Sequence, residues 1–193
     1  MNTSAHAQLK ADLRRRLRQA RKNLPKNERF RAEKRINHQL YRLIKRGKKM
    51  AVYEAMGSEL SLHDFVQKAR QRGAKPYFPL IERKKLRLWF TPCTKLSEKC
   101  GRQKQTWRQT PKIRAHRLHT IIVPLLGIDQ QGFRLGQGGG YYDATLFQAA
   151  RSHLPRIIGA GFSCQKVDTL PTEPHDQALR SFVSEHGWQK FSP

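Results

Sequence analysis

The feature that most constrains this chain is an apolar run followed closely by a glycine-rich segment. Residues 120–126 read T-I-I-V-P-L-L, and residues 132–143 read G-F-R-L-G-Q-G-G-G-Y-Y-D. A short continuous apolar run is typical of a strand that is buried on both faces. Four glycines within residues 136–140 let the backbone turn tightly and approach a ligand without Cβ clashes. Together the two segments predict a buried strand, a glycine loop and a helix beginning near Asp143.

This loop has two readings that its residues leave open. Backbone N–H groups of a glycine loop, together with the positive end of the following helix, can bind phosphate. Arg134 can add a bidentate contact, and Asp143 can hold Mg²⁺ or simply cap the helix. The alternative is a flexible surface turn, although the pair Tyr141-Tyr142 and the charged residues at both ends exceed what a linker needs. The segment lacks the Lys-Ser/Thr pair of a G-x-x-x-x-G-K-[ST] phosphate loop.

Hydrophobic spacing predicts three helices that precede the apolar run and the glycine-rich segment. Leucines recur at helical spacing up to Pro25, where the first helix ends. A second helix is expected over residues 27–46, with Gly47 closing it, and a third over residues 61–72, ending at Gly73. The inward face of the second helix is predicted to carry Phe30, Ile36, Leu40, Leu43 and Ile44.

Short apolar runs predict strands between these helices. They cover residues 50–53, 76–80, 86–90, 157–162 and 182–183, whereas residues 91–116 are expected to be mostly loop. Strands that alternate with helices indicate an α/β layered, Rossmann-like domain with a mixed, mainly parallel sheet flanked by helices. A length of 193 residues suits one such domain, and we expect residues 1–193 to form it.

Three cations of the first helix lie on one side of it. At 3.6 residues per turn, Lys10, Arg14 and Arg21 fall within roughly 40° of one another, at the edge of the leucine stripe. Cations in this position can reach into a cleft that the helix helps to wall. They can equally bury only their stems and expose their charge, and spacing alone favours that second alternative.

The net charge of +25 falls unevenly along the chain. Residues 1–50 carry 17 Lys/Arg against 3 Asp/Glu, residues 51–120 carry 16 against 5, and residues 121–193 carry 6 of each. Such a gradient is compatible with nucleic acid binding, attraction of small polyanions or a generally basic proteome. Because the cations are scattered through helical patterns, we favour a solvated basic surface.

The cysteines and the hydropathy of the chain indicate its cellular compartment. Cys93, Cys100 and Cys164 are odd in number and widely spaced, which fits neither a disulfide framework nor a paired zinc motif. No apolar stretch is long enough to span a membrane, and the N-terminus lacks the apolar core of a secretory signal. We therefore expect a cytoplasmic protein without membrane contact.

The motif at residues 123–143 resembles the signature of the 5-formyltetrahydrofolate cyclo-ligase family. That pattern is roughly V-P-x-x-x-x-D-x-x-G-x-R-L-G-x-G-x-G-[FY]-Y-D, and further matches extend over nearly the whole chain. Lys10, Arg14 and Arg21 match a K-x-x-x-R helix with a later arginine. Residues 59–62 match an E-[IV]-x-T segment, and residues 165–171 match a glutamine followed by Leu-Pro.

The resemblance implies a role for each matched residue. Glu54, Glu59 and Tyr141 are expected to contact folate, Asp143 and Asp176 to bind Mg²⁺, and Arg134 to act catalytically. The residues implied to bind ATP are Lys10, Arg14, Arg134, Leu135, Gly136, Gln137, Gly138, Gly139, Gly140, Tyr141 and Tyr142.

The chain departs from the family pattern at three places. A common G-I-x-E-P segment has its nearest counterpart at residues 101–105, which lack both glutamate and proline. His119 stands where an aspartate commonly precedes the central strand, and Leu62 replaces a threonine. The first departure puts the construction of one cleft wall, and with it substrate preference, in question.

The resemblance implies an ATP- and Mg²⁺-dependent enzyme of one-carbon metabolism. It would close 5-formyltetrahydrofolate, in free or polyglutamylated form, to 5,10-methenyltetrahydrofolate and release ADP and phosphate; a monomer is expected. One alternative is a catalytically diminished relative that acts as a basic nucleic-acid-associated protein. Another is a kinase-like enzyme with a different substrate, which the whole-chain match favours less.

Overall fold

The computed structural model describes residues 3–82, 85–93, 111–149, 155–173 and 176–191. Within these ranges lie four α-helices: α1 (Thr3–Lys22), α2 (Lys26–Leu40), α3 (His63–Gln71) and α4 (Tyr141–Ala149). Three short 3-10 turns add Tyr41–Leu43, Ala115–Arg117 and Ser163–Gln165. No described helix combines the length and hydropathy that a bilayer span requires.

The described strands form one large sheet and a small hairpin. The strands are β1 (Lys49–Ala51), β2 (Lys75–Glu82), β3 (Arg87–Pro92), β4 (Thr120–Val123), β5 (Gly127–Ile128), β6 (Arg134–Leu135), β7 (Arg156–Ala160), β8 (Ser181–Ser184) and β9 (Gly187–Lys190). The sheet order is β3-β2-β1-β4-β7-β8-β9, and β5 pairs with β6 alone. The five inner strands run parallel, while β3 and β9 are antiparallel edges. The predicted α/β fold with a mixed, mainly parallel sheet is therefore confirmed.

The central strand β4 is buried on both faces, as its apolar run predicts. Ile122 contributes to a core that contains residues of α2 and α3. Ile121 and Val123 contribute to a second core with Leu146 of α4. Side chains alternate between the faces of a strand, so one short strand joins both helical layers to the sheet.

Two expectations about α2 are wrong. The helix ends at Leu40, six residues before its predicted end, because Tyr41–Leu43 tightens into a 3-10 turn and Ile44 is already extended toward β1. Phe30 is 57% exposed, although it was predicted to face inward. At 100° per residue it lies roughly 160° around the helix from the buried Ala32. Both glycines expected to close helices, Gly47 and Gly73, have positive φ of 77° and 75°.

The β5–β6 hairpin and β9 were not predicted. Each strand of the hairpin has two residues, too few for a periodic pattern, and β9 combines glycine with polar residues. The hairpin positions the glycine loop relative to α1. Leu17 of α1 packs there with Leu135 and Leu170 in a third buried cluster.

Gly132, at the turn of this hairpin, is required by the fold. Its φ is +91°, and an added Cβ would lie 2.6 Å from the carbonyl oxygen of Leu179 and 2.7 Å from the Phe191 ring. The carbonyl of Gly132 also accepts a hydrogen bond from the Leu179 amide at 2.8 Å. The close contact between Gly132 and Leu179 therefore joins the β5–β6 hairpin to the segment that leads into β8.

We expect Gly132→Ala to lower the free energy of unfolding by about 3 kcal/mol, because backbone strain and overpacking act together. Urea denaturation measures this loss. Gly47→Ala is the matched control, since its φ is also positive but nothing lies within 4 Å of the added Cβ. That variant should lose only about 1 kcal/mol. Equal losses in the two variants would contradict the close-approach argument.

Candidate functional site

A cleft of about 1140 Å³ opens beside the carboxyl ends of the inner strands. Its walls come from α1, from the β2–β3 hairpin, from the glycine loop with the start of α4, and from residues 170–173 and 176. Every site residue expected from the sequence lines this one cleft. The structure thus brings together residues that are as far apart in sequence as Lys10 and Asp176.

Two cations of α1 reach the cleft. Arg14 Nε donates a hydrogen bond to the carbonyl oxygen of Gly136 at 3.0 Å. Lys10 Nζ lies 2.8 Å from Glu173 Oε1 and 3.5 Å from Asp176 Oδ2. These side chains are therefore directed into a site, and the alternative in which they merely expose their charge is wrong.

The glycine loop is held by contacts, so it is not a free surface turn. Gly138 and Gly140 have φ of +105° and +64°, a region that side chains with a Cβ rarely adopt. Arg18 donates from its guanidinium to Gln137 Oε1 at 3.2 Å, in addition to the contact of Arg14. The carbonyl of Gly140 accepts from the Ala144 amide at 3.0 Å, which starts α4 directly after the loop.

Arg134 lies beneath the loop and is paired. Its side chain is only 4% exposed, and its guanidinium forms an ion pair with Asp143 in the first turn of α4. The guanidinium carbon also lies 5.8 Å from the centroid of the Tyr142 ring. Arg134, which is expected to act catalytically, and Asp143, which is expected to bind Mg²⁺, are thus direct neighbours.

Glu59 forms the opposite wall and contacts the loop. It is 8% exposed, and its Oε1 accepts a hydrogen bond from Gln137 Nε2 at 2.7 Å. Its other oxygen accepts from the Met56 amide at 3.0 Å. Glu54 lines the same cleft. The carboxylate of Glu59 is therefore fixed in orientation before any ligand binds.

Two arginines that position Glu59 were not predicted to do so. Arg21 is buried and donates from Nε to Ser58 Oγ at 3.1 Å. Arg29 donates to the carbonyl of Ser58 at 2.8 Å and also to the carbonyl of Arg21. The residue directly before Glu59 is thus clamped from α1 and α2. The place of Arg21 on the face of Lys10 and Arg14 was a usable signal, whereas Arg29 gave none.

Two motif residues stabilise the fold and do not line the cleft. The buried carboxylate of Asp129 accepts from the amides of Gln131 and Phe133 at 2.9 Å each, and from the Leu170 amide at 3.2 Å. The buried Gln165 donates to the carbonyl of Leu125 at 2.7 Å and accepts from the Phe162 amide at 2.8 Å. Both hold the loops that carry the site.

The hairpin wall of the cleft is apolar. Phe78, Leu80 and Leu88 line it, and the exposed side chains of Ile81 and Leu86 extend it toward the mouth. Met56, 76% exposed, lies on the lining as well. The cleft therefore has a charged end near the glycine loop and an apolar wall that suits a flat aromatic ligand.

The cleft contains two carboxylates, Asp143 and Asp176, that could bind a metal ion. Among the described side chains, no group of three or more His, Cys, Asp or Glu forms a metal cage. Asp143 and Asp176 nevertheless both line the cleft. Mg²⁺ commonly uses one or two carboxylates and completes its shell with water and phosphate oxygens. The donors fit a metal that arrives with a phosphate ligand.

Two departures from the family pattern lie within the described residues. Leu62 is buried and precedes α3 without a side-chain cap. His119 is exposed, and its Nδ1 accepts from the Lys49 amide at 3.2 Å, so it lies at the amino end of β4, away from the cleft. Residues 101–105, the counterpart of the G-I-x-E-P segment, lie outside the described residues.

The fold and the cleft define an α/β protein with a glycine-rich loop that follows its central strand and lines the cleft. A family model described as the 5-formyltetrahydrofolate cyclo-ligase family matches residues 6–185. The chain belongs to this family.

Individual relatives agree with that assignment. The chain is 29% identical over 192 residues to a 5-formyltetrahydrofolate cyclo-ligase of Haemophilus influenzae, covering 93% of this chain and 97% of the relative. The solved structure of a Mycoplasma pneumoniae 5,10-methenyltetrahydrofolate synthetase matches with a TM-score of 0.74 and 26% identity, over 91% of this chain and 98% of that one. An Aquifex aeolicus 5,10-methenyltetrahydrofolate synthetase, at 22% identity and a TM-score of 0.75, shares the fold over 96% and 94% of the two chains.

Two tyrosines of the site, the buried Tyr53 and the partly buried Tyr142, make the stability of the protein depend on pH. Burial raises the pKa of Tyr53 and Tyr142 well above their ordinary value, and the neighbouring Glu59 carboxylate raises both further, while Arg134 partly opposes the shift at Tyr142. A pKa raised by folding stabilises the protein in full below the unfolded-state pKa, near 10. That contribution is lost as the pH rises from about 10 toward the folded-state pKa.

We therefore expect the free energy of unfolding to fall steeply above pH 10 and the fall to be shallower in Tyr53→Phe and Tyr142→Phe. Urea denaturation between pH 8 and pH 11 measures this dependence. Lysine titration contributes to the same pH range in all three proteins, so the difference between wild type and variant is the informative quantity. Parallel curves for all three would contradict the assignment.

Proposed function

We propose that this chain catalyses the ATP-dependent conversion of 5-formyltetrahydrofolate to 5,10-methenyltetrahydrofolate. The observation that carries the proposal is the single cleft in which the cations and glycine loop face the buried Glu59 and an apolar wall. Family membership gives the arrangement its chemistry. Each end of the cleft then has its own ligand.

The charged end is assigned to ATP. Lys10, Arg14 and Arg134 converge on a loop whose glycines leave backbone N–H groups accessible to phosphate oxygens. In the structure Lys10 contacts Glu173 and Asp176, and Arg134 contacts Asp143. Phosphate binding would exchange these carboxylate partners for phosphate oxygens. The remaining loop residues from Leu135 to Tyr142 complete the nucleotide site.

The apolar wall and Glu59 are assigned to the folate. A pterin ring has N–H groups that can donate hydrogen bonds to a buried carboxylate. The carboxylate of Glu59 is already held in place by the hydrogen bond from Gln137. Glu54 and Tyr141 line the cleft beside it and are proposed as further folate contacts. The hairpin side chains would cover the flat parts of the ligand and exclude water.

The reaction needs positioning and charge neutralisation more than a protein nucleophile. The formyl group on N5 is an amide-like carbon that resists attack by N10. Transfer of the γ-phosphoryl group of ATP to the formyl oxygen makes that oxygen a leaving group. N10 then attacks the carbon, the ring closes, and phosphate and ADP are released. Arg134 and Lys10 would stabilise the charge of the transferring group.

We propose that Mg²⁺ is bound by Asp143 and Asp176 when ATP is present. The ion would neutralise phosphate charge and orient the nucleotide. Both carboxylates already contact the two cations that face the phosphates, so all four side chains can rearrange around one ligand. A site with two protein carboxylates is expected to be weak without ATP.

The remaining expectations stay predictions. A cytoplasmic location agrees with Cys164, which is a free thiol, while Cys100 lies outside the described residues. A monomeric state and acceptance of polyglutamylated substrate are retained as proposals. The kinase-like alternative and the catalytically diminished alternative receive no support from the relatives, which are described as cyclo-ligases.

Arg134→Ala should lower kcat/KM by about 10²-fold or more, because a preorganised cation at the transferring group is lost. The measurement is the formation of the methenyl chromophore from 5-formyltetrahydrofolate, ATP and Mg²⁺. Arg15→Ala is the matched control, since the side chain of Arg15 is 82% exposed and pairs with Asp12 on its own helix. An unchanged rate in the Arg134 variant would remove the loop from the mechanism.

Asp143→Asn and Asp176→Asn should each depress turnover at low Mg²⁺, with partial rescue at high Mg²⁺, because a neutral amide binds the ion less tightly. Turnover is measured as a function of Mg²⁺ concentration, with urea denaturation to follow folding. Asp168→Asn is the control, because Asp168 is exposed and accepts from the Gln130 side chain outside the cleft. Normal turnover of both cleft variants at low Mg²⁺ would refute the metal assignment.

A further inference from the structure

The cations outside the cleft gather at the opposite end of the sheet. Four of the five inner strands have a lysine or arginine at or directly before their first residue, and Arg117 lies three residues before β4. The loops that lead into these strands add more. We call this surface the basic edge; it comprises Lys45, Arg46, Lys48, Lys49, Arg72, Lys75, Arg117, Arg156 and Arg180. The side chains are exposed, except that Lys49 is half-buried.

Backbone hydrogen bonds show that these residues are true neighbours although five separate segments supply them. The Lys75 amide donates to the carbonyl of Lys48 at 2.8 Å, and Gly47 donates to Gly73 at 2.8 Å. The His119 amide donates to the carbonyl of Lys49 at 2.9 Å, and the Arg156 amide donates to the carbonyl of His119 at 3.0 Å. Lysines and arginines that are scattered along the sequence are thus neighbours in the fold.

The segments that meet at the basic edge contain no carboxylate. Neither Asp nor Glu occurs in residues 34–53, 65–81, 111–128, 155–167 or 177–184. The strongly basic helices α1 and α2 differ in this respect, since they include Asp12, Glu28 and Glu33. A surface with one sign of charge attracts polyanions more strongly than a mixed one.

The chemistry of the surface favours nucleic acid over a membrane. The exposed large hydrophobic side chains among the described residues are Leu9, Phe30, Met56, Ile81 and Leu86, and none lies at the starts of the inner strands. A membrane-surface helix would need apolar anchors there. The edge instead carries arginines stacked on aromatic rings. The Arg72 guanidinium lies 5.7 Å from the Tyr41 ring centroid, and that of Arg156 lies 5.9 Å from the Trp188 ring centroid.

The dimensions fit a nucleic acid backbone. Five adjacent strands, at about 4.8 Å spacing, give the edge a length of roughly 19 Å. A duplex carries one negative charge per ~1.7 Å of its axis, so several phosphates face a surface of this length. Arginine planes can additionally stack on unpaired bases.

We infer that the basic edge binds the phosphodiester backbone of nucleic acid without sequence preference. This binding is independent of the reaction in the cleft, because the two surfaces lie at opposite ends of the parallel strands. It replaces the solvated-surface interpretation favoured by the sequence, and it does not require any loss of catalysis.

The test is fluorescence anisotropy of a labelled 20-nucleotide RNA of mixed sequence, with a DNA strand and a DNA duplex of the same sequence as parallel probes. A triple variant, Lys45→Gln with Lys48→Gln and Lys75→Gln, removes three exposed cations of the edge. We expect its affinity for RNA at 100 mM salt to fall on the order of tenfold. The slope of log affinity against log salt should become shallower by about 2, at 0.7 per cation for a single strand. The three probes show whether RNA or DNA is preferred.

The matched control is Arg16→Gln with Lys22→Gln and Lys26→Gln, which removes the same charge from exposed positions on α1 and the start of α2. It should change affinity less than about twofold. His119→Asp should weaken binding while keeping the fold, because an aspartate can also accept the hydrogen bond from the Lys49 amide. Excess ATP with Mg²⁺ should not displace the RNA, and chromophore formation should be unchanged in the edge variant.

Four outcomes would overturn the inference. The first is no measurable binding of any nucleic acid at 50 mM salt. The second is an equal loss in the edge and control triple variants, which would indicate a general charge effect. The third is displacement by ATP, which would place the RNA in the cleft. The fourth is tighter binding to phosphatidylserine vesicles than to RNA or DNA.

Discussion

The packing of Leu17 against the β5–β6 hairpin is the contact on which the rest of the site depends. Its side chain is 3% exposed and lies beside Leu135 and Leu170. Gly127 leaves the necessary room, since a Cβ there would lie 2.6 Å from Leu17 Cδ1. This contact fixes α1 across the hairpin, one turn after Arg14 and two turns after Lys10. Both cations would otherwise be free to point into solvent, and the glycine loop would lose the hydrogen bond from Arg14 to Gly136.

The charged side chains of the site are paired with one another. Lys10 is paired with Glu173 and Asp176, Arg134 with Asp143, and Glu59 with amide donors. Partly buried cations held by carboxylates avoid the desolvation cost of isolated charges. The same pairs keep the side chains near the positions where a charged ligand would be received. The side chains of the site are therefore already organised by these pairs. A charged ligand would replace existing partners, and it would not need to order a flexible segment of the site.

The sequence predicted the parts of the structure that depend on periodicity or on a local motif. The apolar run of β4 and the glycine loop indicated the sheet and the site directly, and the common face of Lys10 and Arg14 indicated a cleft wall. What failed depends on tertiary contacts. The two-residue strands of the β5–β6 hairpin exist because buried Asp129 accepts three backbone hydrogen bonds. The clamp of Arg29 on Ser58 joins residues with no shared pattern. Phe30 is an exception, because its angular position around α2, opposite the buried Ala32, already places it on the exposed face.

The parallel sheet separates the two ends of the molecule by the length of its strands. The five residues of β7 span roughly 13 Å, from the exposed Arg156 to the buried Ala160 beside the core. The side chains between these ends belong to the hydrophobic clusters and carry no charge. A substitution at one end therefore changes neither the contacts nor the local field at the other, beyond what a screened distance transmits. In evolutionary terms the two ends can vary separately: surface charge can accumulate or disappear in a lineage under its own selection while the residues of the cleft are retained.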